Sequence, residues 1–165
     1  MSTSTFVISY AYTVTYVTTK MLLVLKEIIR EIGLDPSSFT SDWDSYEEAI
    51  STWLSSRHLQ RVTLEVYDPR TNVLATRWDI DVVYASVGDG ALWVDTAAIR
   101  YALAKAGLAP SSCRYTIKLK NDPDYPPVHG WSPCDFRSTD GFMRYAVGAT
   151  VGGNGLSAQT AYWSR

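Results

Sequence analysis

The sequence lacks the features that assign a protein to the secreted or membrane classes. Only two cysteines, Cys113 and Cys134, are present in 165 residues. The longest strongly apolar run, residues 21–25, is far shorter than the roughly 20 residues that a membrane-spanning helix needs. The N-terminus has no basic region and no apolar run followed by a cleavage site, which a signal peptide requires. These absences predict a cytoplasmic protein without a membrane segment, in which both thiols are reduced rather than joined in a disulfide.

The sequence also has little net charge. Its 15 Lys and Arg and 17 Asp and Glu give a formal net charge of −2, and the pI is about 5.6. General affinity for nucleic acid phosphates requires a basic face, so we expect no direct nucleic-acid binding. With 46% apolar residues and no internal repeat, the chain suits one globular domain with a full core.

A β-hairpin is the best-patterned element of the sequence. Apolar residues alternate with polar ones on both sides of a turn at residues 68–72, where proline and Asx residues favour the reversal. Such alternation predicts that each strand buries one face and leaves the other in water. The polar face includes Asp79 and Asp81, for which we expect solvation and pairing with Arg61 or Arg77. The apolar positions are Val62, Leu64, Val66, Leu74, Trp78, Ile80 and Val82.

Helical spacing of apolar residues predicts three helices. The first covers about residues 10–32, although residues 6–17 also alternate as a strand would. The second begins with Asp44 as N-cap and Glu47 three residues later, which resembles a capping box, and ends near His58. The third covers residues 96–106, after Asp95, and Gly107 ends it. We expect a turn at residues 35–38 and a loop at residues 85–90.

The C-terminal part of the chain has a different character. Residues 113–120 alternate as a third strand, and residues 121–131 contain three prolines and predict a long irregular connection. Two further strands, residues 142–151 and 156–163, are separated by a glycine-rich stretch that suits a tight hairpin turn. Loops of more than about 12 residues in compact domains are often functional, which draws attention to this connection.

No catalytic constellation is evident. Asp79 and Asp81 could serve as an acid–base pair, and a cysteine could pair with His58 or His129, so a small cytoplasmic α+β enzyme is the alternative reading. Residues 153–158 match a dinucleotide fingerprint but lack the helix and strand that must follow it. Neither the cysteines nor the histidines have metal-ligand spacing, and we predict no cofactor and no metal.

Two motifs lie on the strands of the predicted hairpin: Val-Thr-Leu-Glu-Val-Tyr at residues 62–67 and Arg-Trp-Asp-Ile-Asp at residues 77–81. Together with the order of the predicted elements, they resemble the HORMA domain, and most closely the stand-alone bacterial HORMA proteins of CBASS (cyclic-oligonucleotide antiphage signalling) operons. The second motif is similar to the E-R-W-x-F-D strand of the eukaryotic members, with Thr76 in place of Glu and Ile80 in place of Phe. Stretches more specific to the bacterial group are residues 21–30, 50–59, 93–101, 110–115, 137–142 and 152–163.

The resemblance implies an α+β fold in which a mainly antiparallel sheet packs on three helices. It implies a single domain with a core (residues 1–127) and a repacking safety belt (residues 128–165). Such proteins are adaptors and not enzymes: the belt closes around an extended closure-motif peptide, and the closed form activates a cGAS/DncV-like nucleotidyltransferase. An AAA-family ATPase reopens the domain. Because the sequence is little more than the domain, we expect the peptide to come from another protein.

The resemblance also implies which residues make these contacts. For the remodelling ATPase we expect an N-terminal site at Ser2, Thr3, Ser4 and Thr5. For the peptide we expect the belt and the adjacent strand to contribute Tyr115, Ile117, Leu119, Trp131, Phe136, Phe142 and Tyr145.

Overall fold

The computed structural model describes residues 8–85 and 91–165. Its elements are α1 (Tyr10–Glu31), α2 (Ser37–Ser41), α3 (Trp43–Ser55), β1 (Leu59–Tyr67), β2 (Leu74–Tyr84), β3 (Trp93–Val94), α4 (Thr96–Ala106), β4 (Arg114–Asn121), β5 (Met143–Gly153) and β6 (Leu156–Ser164). A six-stranded sheet and helices confirm the predicted α+β class. The structure adds α2 and the two-residue strand β3, which the sequence did not predict. Most of the loop predicted at 85–90 lies outside the described residues.

The sheet is antiparallel throughout, with the strand order β3-β5-β6-β2-β1-β4. The predicted hairpin, β1 and β2, lies inside the sheet with a strand on each side, and we call it the central hairpin. The C-terminal hairpin, β5 and β6, pairs with β2 through β6, and β4 pairs with β1 on the opposite side. The two parts of the chain that flank residues 122–142 therefore lie on opposite sides of the central hairpin.

The hydrophobic core lies between the helices and one face of the sheet. Val62, Leu64 and Trp78 on the central strands are fully buried there. The face of α1 that meets them includes Met21 and Leu25, which are also fully buried. Tertiary packing thus overrides the weak helix propensity of the threonines and tyrosines in the first turns of α1. Its start at Tyr10 agrees with the prediction, and Ser9 caps it by accepting a hydrogen bond from the backbone N–H of Tyr12.

The predicted start of the second helix is wrong. The N-cap of α3 is Asp42, whose side chain makes no capping hydrogen bond, and Asp44 lies in the first turn. A carboxylate in that turn still favours the helix through its dipole. The preceding residues form the short helix α2 instead of a simple turn, because this arrangement buries Phe39 completely. By contrast, α4 has the predicted bounds, and the Asp95 side chain accepts a hydrogen bond from the Ala98 N–H at 3.0 Å.

The polar face of the central hairpin is buried, which contradicts the prediction that Asp79 is solvated. Asp79 is 0% exposed and accepts hydrogen bonds from Thr63 Oγ1 at 2.8 Å, Arg77 Nε at 2.8 Å and Trp163 Nε1 at 2.9 Å. Asp81 is half-buried and pairs with Arg61, as expected. The prediction fails for Asp79 because period-2 alternation separates two faces but does not show that a distant segment covers the polar one.

Among residues 8–85 and 91–165, no helix has the length and apolar character needed to cross a membrane.

Candidate functional site

The outer edge of β4 is the first component of the site. Within the described residues, β4 pairs only with β1, with Thr116 opposite Glu65 and Ile117 opposite Leu64. The other edge of an outer strand presents unpaired backbone N–H and C=O groups, which are a template for a further strand. After Asn121, residues 122–142 run beside this edge without regular secondary structure; we call them the connecting segment.

A cavity of about 660 Å³ lies between β4 and the connecting segment. Ile117 and Leu119 line it from β4, and Trp53 lines it from α3. The connecting segment contributes Val128, Trp131, Cys134 and Phe136. The cavity thus combines an unpaired strand edge with a lining that is largely apolar and that also includes Lys118 and Lys120.

The predicted peptide-contacting residues divide into two groups. Ile117, Leu119, Trp131 and Phe136 line the cavity. The structure places Tyr115, Phe142 and Tyr145 in other environments. The predicted ATPase-engaging residues, Ser2, Thr3, Ser4 and Thr5, lie outside the described residues.

The other three predicted residues make structural contacts. The Tyr115 hydroxyl donates to the Asp35 carbonyl oxygen at 2.7 Å and accepts from the Phe39 N–H at 3.2 Å, so it joins β4 to α2. The Arg165 guanidinium lies 4.7 Å from the Phe142 ring centroid. Tyr145 stacks on Tyr162 with a centroid distance of 5.1 Å, within the C-terminal hairpin.

An aromatic cluster forms the end of the cavity nearest to α3. Trp131 meets Trp53 edge-on at 5.9 Å and Tyr46 at 5.7 Å. Trp53 Nε1 donates to the Pro126 carbonyl oxygen at 2.7 Å and so fixes the start of the connecting segment. Burial, with smaller contributions from Asp42 and Tyr115, raises the pKa of Tyr46 to about 12.

The sequence did not assign Trp53 to the site. In the sequence it is one apolar position on a helical face, and no local pattern separates it from its neighbours. Trp131 adds a further feature, because its Nε1 is buried without a hydrogen-bond partner within the ranges 8–85 and 91–165. A buried donor without an acceptor carries a desolvation cost that a ligand carbonyl can remove.

A buried carboxylate fastens the far end of the connecting segment. Glu65 on β1 is 0% exposed and accepts from Arg137 Nη1 and from the Arg137 backbone N–H, both at 2.7 Å. Lys118 Nζ lies 2.7 Å from the same carboxylate. We call these three residues the Glu65 cluster. A carboxylate is tolerated in the interior only when it is paired and hydrogen-bonded, so Glu65 depends on both cations.

The Glu65 cluster joins the connecting segment to β4 and to the turn of the central hairpin. The Arg137 guanidinium also lies 3.6 Å from the Tyr67 ring centroid and donates to Asn72 Oδ1 at 2.9 Å, at the turn of the central hairpin. Lys118 lines the cavity and donates to the Asp135 carbonyl oxygen at 2.6 Å. The segment is therefore held on β4 and on the β1–β2 turn at once.

Two of the candidate catalytic groups, Asp79 and Cys113, lie in structural environments. Asp79 is enclosed and accepts hydrogen bonds from three side chains. Burial, with a smaller contribution from Asp68, raises the pKa of the Cys113 thiol, which is the opposite of the lowered thiol pKa of reactive cysteines. Across the part of the chain that the structure describes, no group of three or more His, Cys, Asp or Glu residues could hold a metal ion.

The fold is shared with solved structures of low sequence identity. A chain of the Mitotic Checkpoint Complex has a TM-score of 0.77 at 12% identity, with 92% of this chain and 98% of that chain covered. C. elegans HTP-2 bound to the HIM-3 closure motif has a TM-score of 0.69 at 12% identity, with coverage of 97% and 93%. The E. coli MS115-1 CdnC:HORMA-deltaN complex contains a chain with a TM-score of 0.59 at 11% identity, with coverage of 99% and 93%. No curated protein matches the sequence.

The similarity to these structures shows that the chain has the HORMA fold. The family model for bacterial HORMA domain 2 matches residues 1–165. The chain therefore belongs to that bacterial HORMA family, and the predicted family and fold are confirmed. One detail of the predicted architecture needs correction, since four helices and not three accompany the sheet in the described residues.

The Glu65 cluster yields a stability prediction. Glu65→Gln removes a buried negative charge and leaves Arg137 and Lys118 without it, which should lower the free energy of unfolding by about 3 kcal/mol. Asp81→Asn is the control, since its half-buried ion pairs should contribute less than about 1 kcal/mol. Urea denaturation measures both values. Trypsin should also cleave after Arg137 faster in the Glu65→Gln variant. Equal destabilisation by the two variants would contradict the assigned role.

Proposed function

We propose that this HORMA protein is a signalling adaptor that binds a closure-motif peptide from another protein. In the proposal, residues 128–165 act as the safety belt on a core of residues 1–127. The peptide-bound form activates a cGAS/DncV-like nucleotidyltransferase in cytoplasmic antiphage defence of the CBASS type. The observation that carries the proposal is the cavity between the unpaired edge of β4 and the connecting segment. We propose no reaction for the chain itself.

The geometry supports strand addition as the binding mode. The eight residues of β4, at about 3.3 Å each, offer an edge about 26 Å long. Backbone hydrogen bonds along such an edge supply affinity, and pockets for alternate side chains supply specificity. The apolar and aromatic lining of the cavity would receive every second side chain of an added strand.

The path of the chain supports a closed belt. The connecting segment starts at the end of β4, is fixed to β1 through Arg137 and Glu65, and leads into β5 on the far side of β2. The Arg77 guanidinium of β2 lies 4.7 Å from the Phe136 ring centroid, beneath this crossing. A peptide on β4 would thus lie under the connecting segment, which is held by Trp53 near its start and by Glu65 near its end.

Solved structures of similar fold support the proposed partners. C. elegans HTP-2 is bound to a closure motif in several structures, and an E. coli HORMA protein forms a complex with CdnC. At 11–12% identity these structures share the fold with this chain, so the same partners are part of the proposal.

A point substitution tests the proposal better than deletion of the belt. Deletion of residues 128–165 would remove β5 and β6, together with the buried Leu156, Ala158 and Tyr162, and would disrupt the sheet. Leu119→Glu instead places a charge at the lining of the cavity. Leu108→Glu is the matched control, because Leu108 is 77% exposed and does not line this cavity.

We predict that a peptide selected on the protein from a random library stimulates product formation by a cGAS/DncV-like nucleotidyltransferase from the same genome. Leu119→Glu should weaken peptide binding at least tenfold, a loss of about 1.4 kcal/mol, and should raise the half-activating concentration of peptide in parallel. Fluorescence anisotropy and quantification of the cyclic oligonucleotide measure the two effects. Nucleotidyltransferase activity that does not depend on the peptide would refute the proposal. Equal half-activating peptide concentrations for Leu119→Glu and Leu108→Glu would refute it as well.

An AAA-family ATPase that reopens the belt by engaging the N-terminus, including Ser2, Thr3, Ser4 and Thr5, completes the proposal. The truncation that tests it should end at residue 7. Ser9 caps α1, and the Ile8 carbonyl oxygen accepts from Asn154 Nδ2 at 2.8 Å, so a longer truncation would damage the fold.

Removal of residues 1–7 should abolish ATP-driven release of a bound peptide and leave the peptide affinity within about twofold. Release of a labelled peptide, followed with and without ATP and the ATPase, measures the first effect, and anisotropy measures the second. An unchanged release rate would exclude the N-terminus as the ATPase contact.

A further inference from the structure

We propose that the bound peptide carries apolar, unspecified, apolar and acidic residues at four consecutive positions, read in either direction along β4. The inference rests on the proposed function and assigns the ligand chemistry of the same cavity. Two rows of side chains on β4 carry it. One row is apolar and faces the aromatic cluster, and the other is cationic.

The apolar row consists of Ile117 and Leu119. Their partners on β1 are Leu64 and Val62, which are buried in the core, so this row lies on the helical face of the sheet. A strand added to β4 has the residues opposite Ile117 and Leu119 on the same face, because paired residues share a face. Those two residues would enter the part of the cavity lined by Trp53, Val128 and Trp131, which contains no charged group.

The cationic row consists of Lys118 and Lys120, on the other face of β4. The charge of Lys118 is already compensated by Glu65 at 2.7 Å. Lys120 differs: it is exposed, lines the cavity, and forms no ion pair with any residue in the ranges 8–85 and 91–165. Of the residues that the structure describes, no Asp or Glu lines the cavity.

The position of Lys120 adds a reason for an incoming carboxylate. Lys120 lies directly opposite Arg61 on β1, and like charges in that arrangement destabilise a strand pair. The carboxylates of Asp79 and Asp81 compensate Arg61 from the side of β2, so Lys120 is the cation without one. An Asp or Glu opposite Lys120 on an added strand would supply the missing carboxylate.

The two rows together fix the order of residue types. The peptide has apolar side chains opposite Ile117 and Leu119 and an acidic side chain opposite Lys120. The peptide residue opposite Lys118 can be of any type, because Glu65 already pairs with Lys118. Parallel and antiparallel pairing reverse the direction in which this order is read and leave the spacing unchanged.

The experiment is selection from a random decapeptide phage library on the full-length protein, on Lys120→Glu and on Lys105→Glu. Lys105 is an exposed cation on α4 and controls for net charge. One enriched peptide and its variant with lysine at the acidic position are then measured by fluorescence anisotropy. The wild type and Lys105→Glu should prefer the acidic peptide at least tenfold, and Lys120→Glu should prefer the lysine peptide. Lys120 is exposed, so the substitution should leave the fold intact.

The outcomes separate this inference from the proposed function. Enriched peptides without the order of apolar and acidic positions, or an acidic preference that persists in Lys120→Glu, would overturn the inference and leave peptide binding standing. Absence of any enriched peptide would overturn both. Reversal of the charge preference in Lys120→Glu alone would support both.

Discussion

The arrangement of the chain depends on the ion pairs that the buried carboxylate of Glu65 forms with Lys118 and Arg137. A lone carboxylate in the interior is strongly unfavourable, and Glu65 is stabilised only because Lys118 and Arg137 approach it from different parts of the chain. Lys118 belongs to β4, and Arg137 belongs to the connecting segment. Because the charge of Glu65 must be neutralised, Arg137 fixes where the connecting segment crosses the sheet. The crossing in turn positions the residues of the segment that line the cavity.

The crossing has a direct functional consequence. The connecting segment passes over β1 and leads to a hairpin on β2, so the C-terminal strands occupy one side of the central hairpin. No strand within residues 8–85 and 91–165 therefore pairs with the outer edge of β4. The same segment returns Trp131 to the aromatic cluster at Trp53. The central hairpin, the connecting segment and the β4 edge are thus parts of one arrangement, which is the arrangement that the proposed peptide-gated adaptor requires.

Local pattern predicted the elements better than their assembly. Period-2 alternation identified β1 and β2, and apolar spacing with caps identified α1 and α4, because these signals lie within short stretches of sequence. The burial of Glu65 depends on Arg137, 72 residues away, and that of Asp79 depends on Trp163, 84 residues away, and no local signal reports either contact. The same limit applies to single residues. Tyr115 lies on the predicted strand, but its hydroxyl is committed to α2, and Trp53 reads as an ordinary helical core residue.

Amide hydrogen exchange of β4 with and without a selected peptide is the most direct test of the central claim that the ligand adds as a strand to this edge. Edge amides of β4 that do not pair with β1 have no hydrogen bond within the sheet and exchange rapidly. Pairing with a peptide would make their exchange depend on opening of the complex and should slow it by about 100-fold. Amides of α4, which lies away from the cavity, should exchange at unchanged rates. A peptide that binds and slows exchange elsewhere, while the β4 amides keep their original rates, would contradict the account.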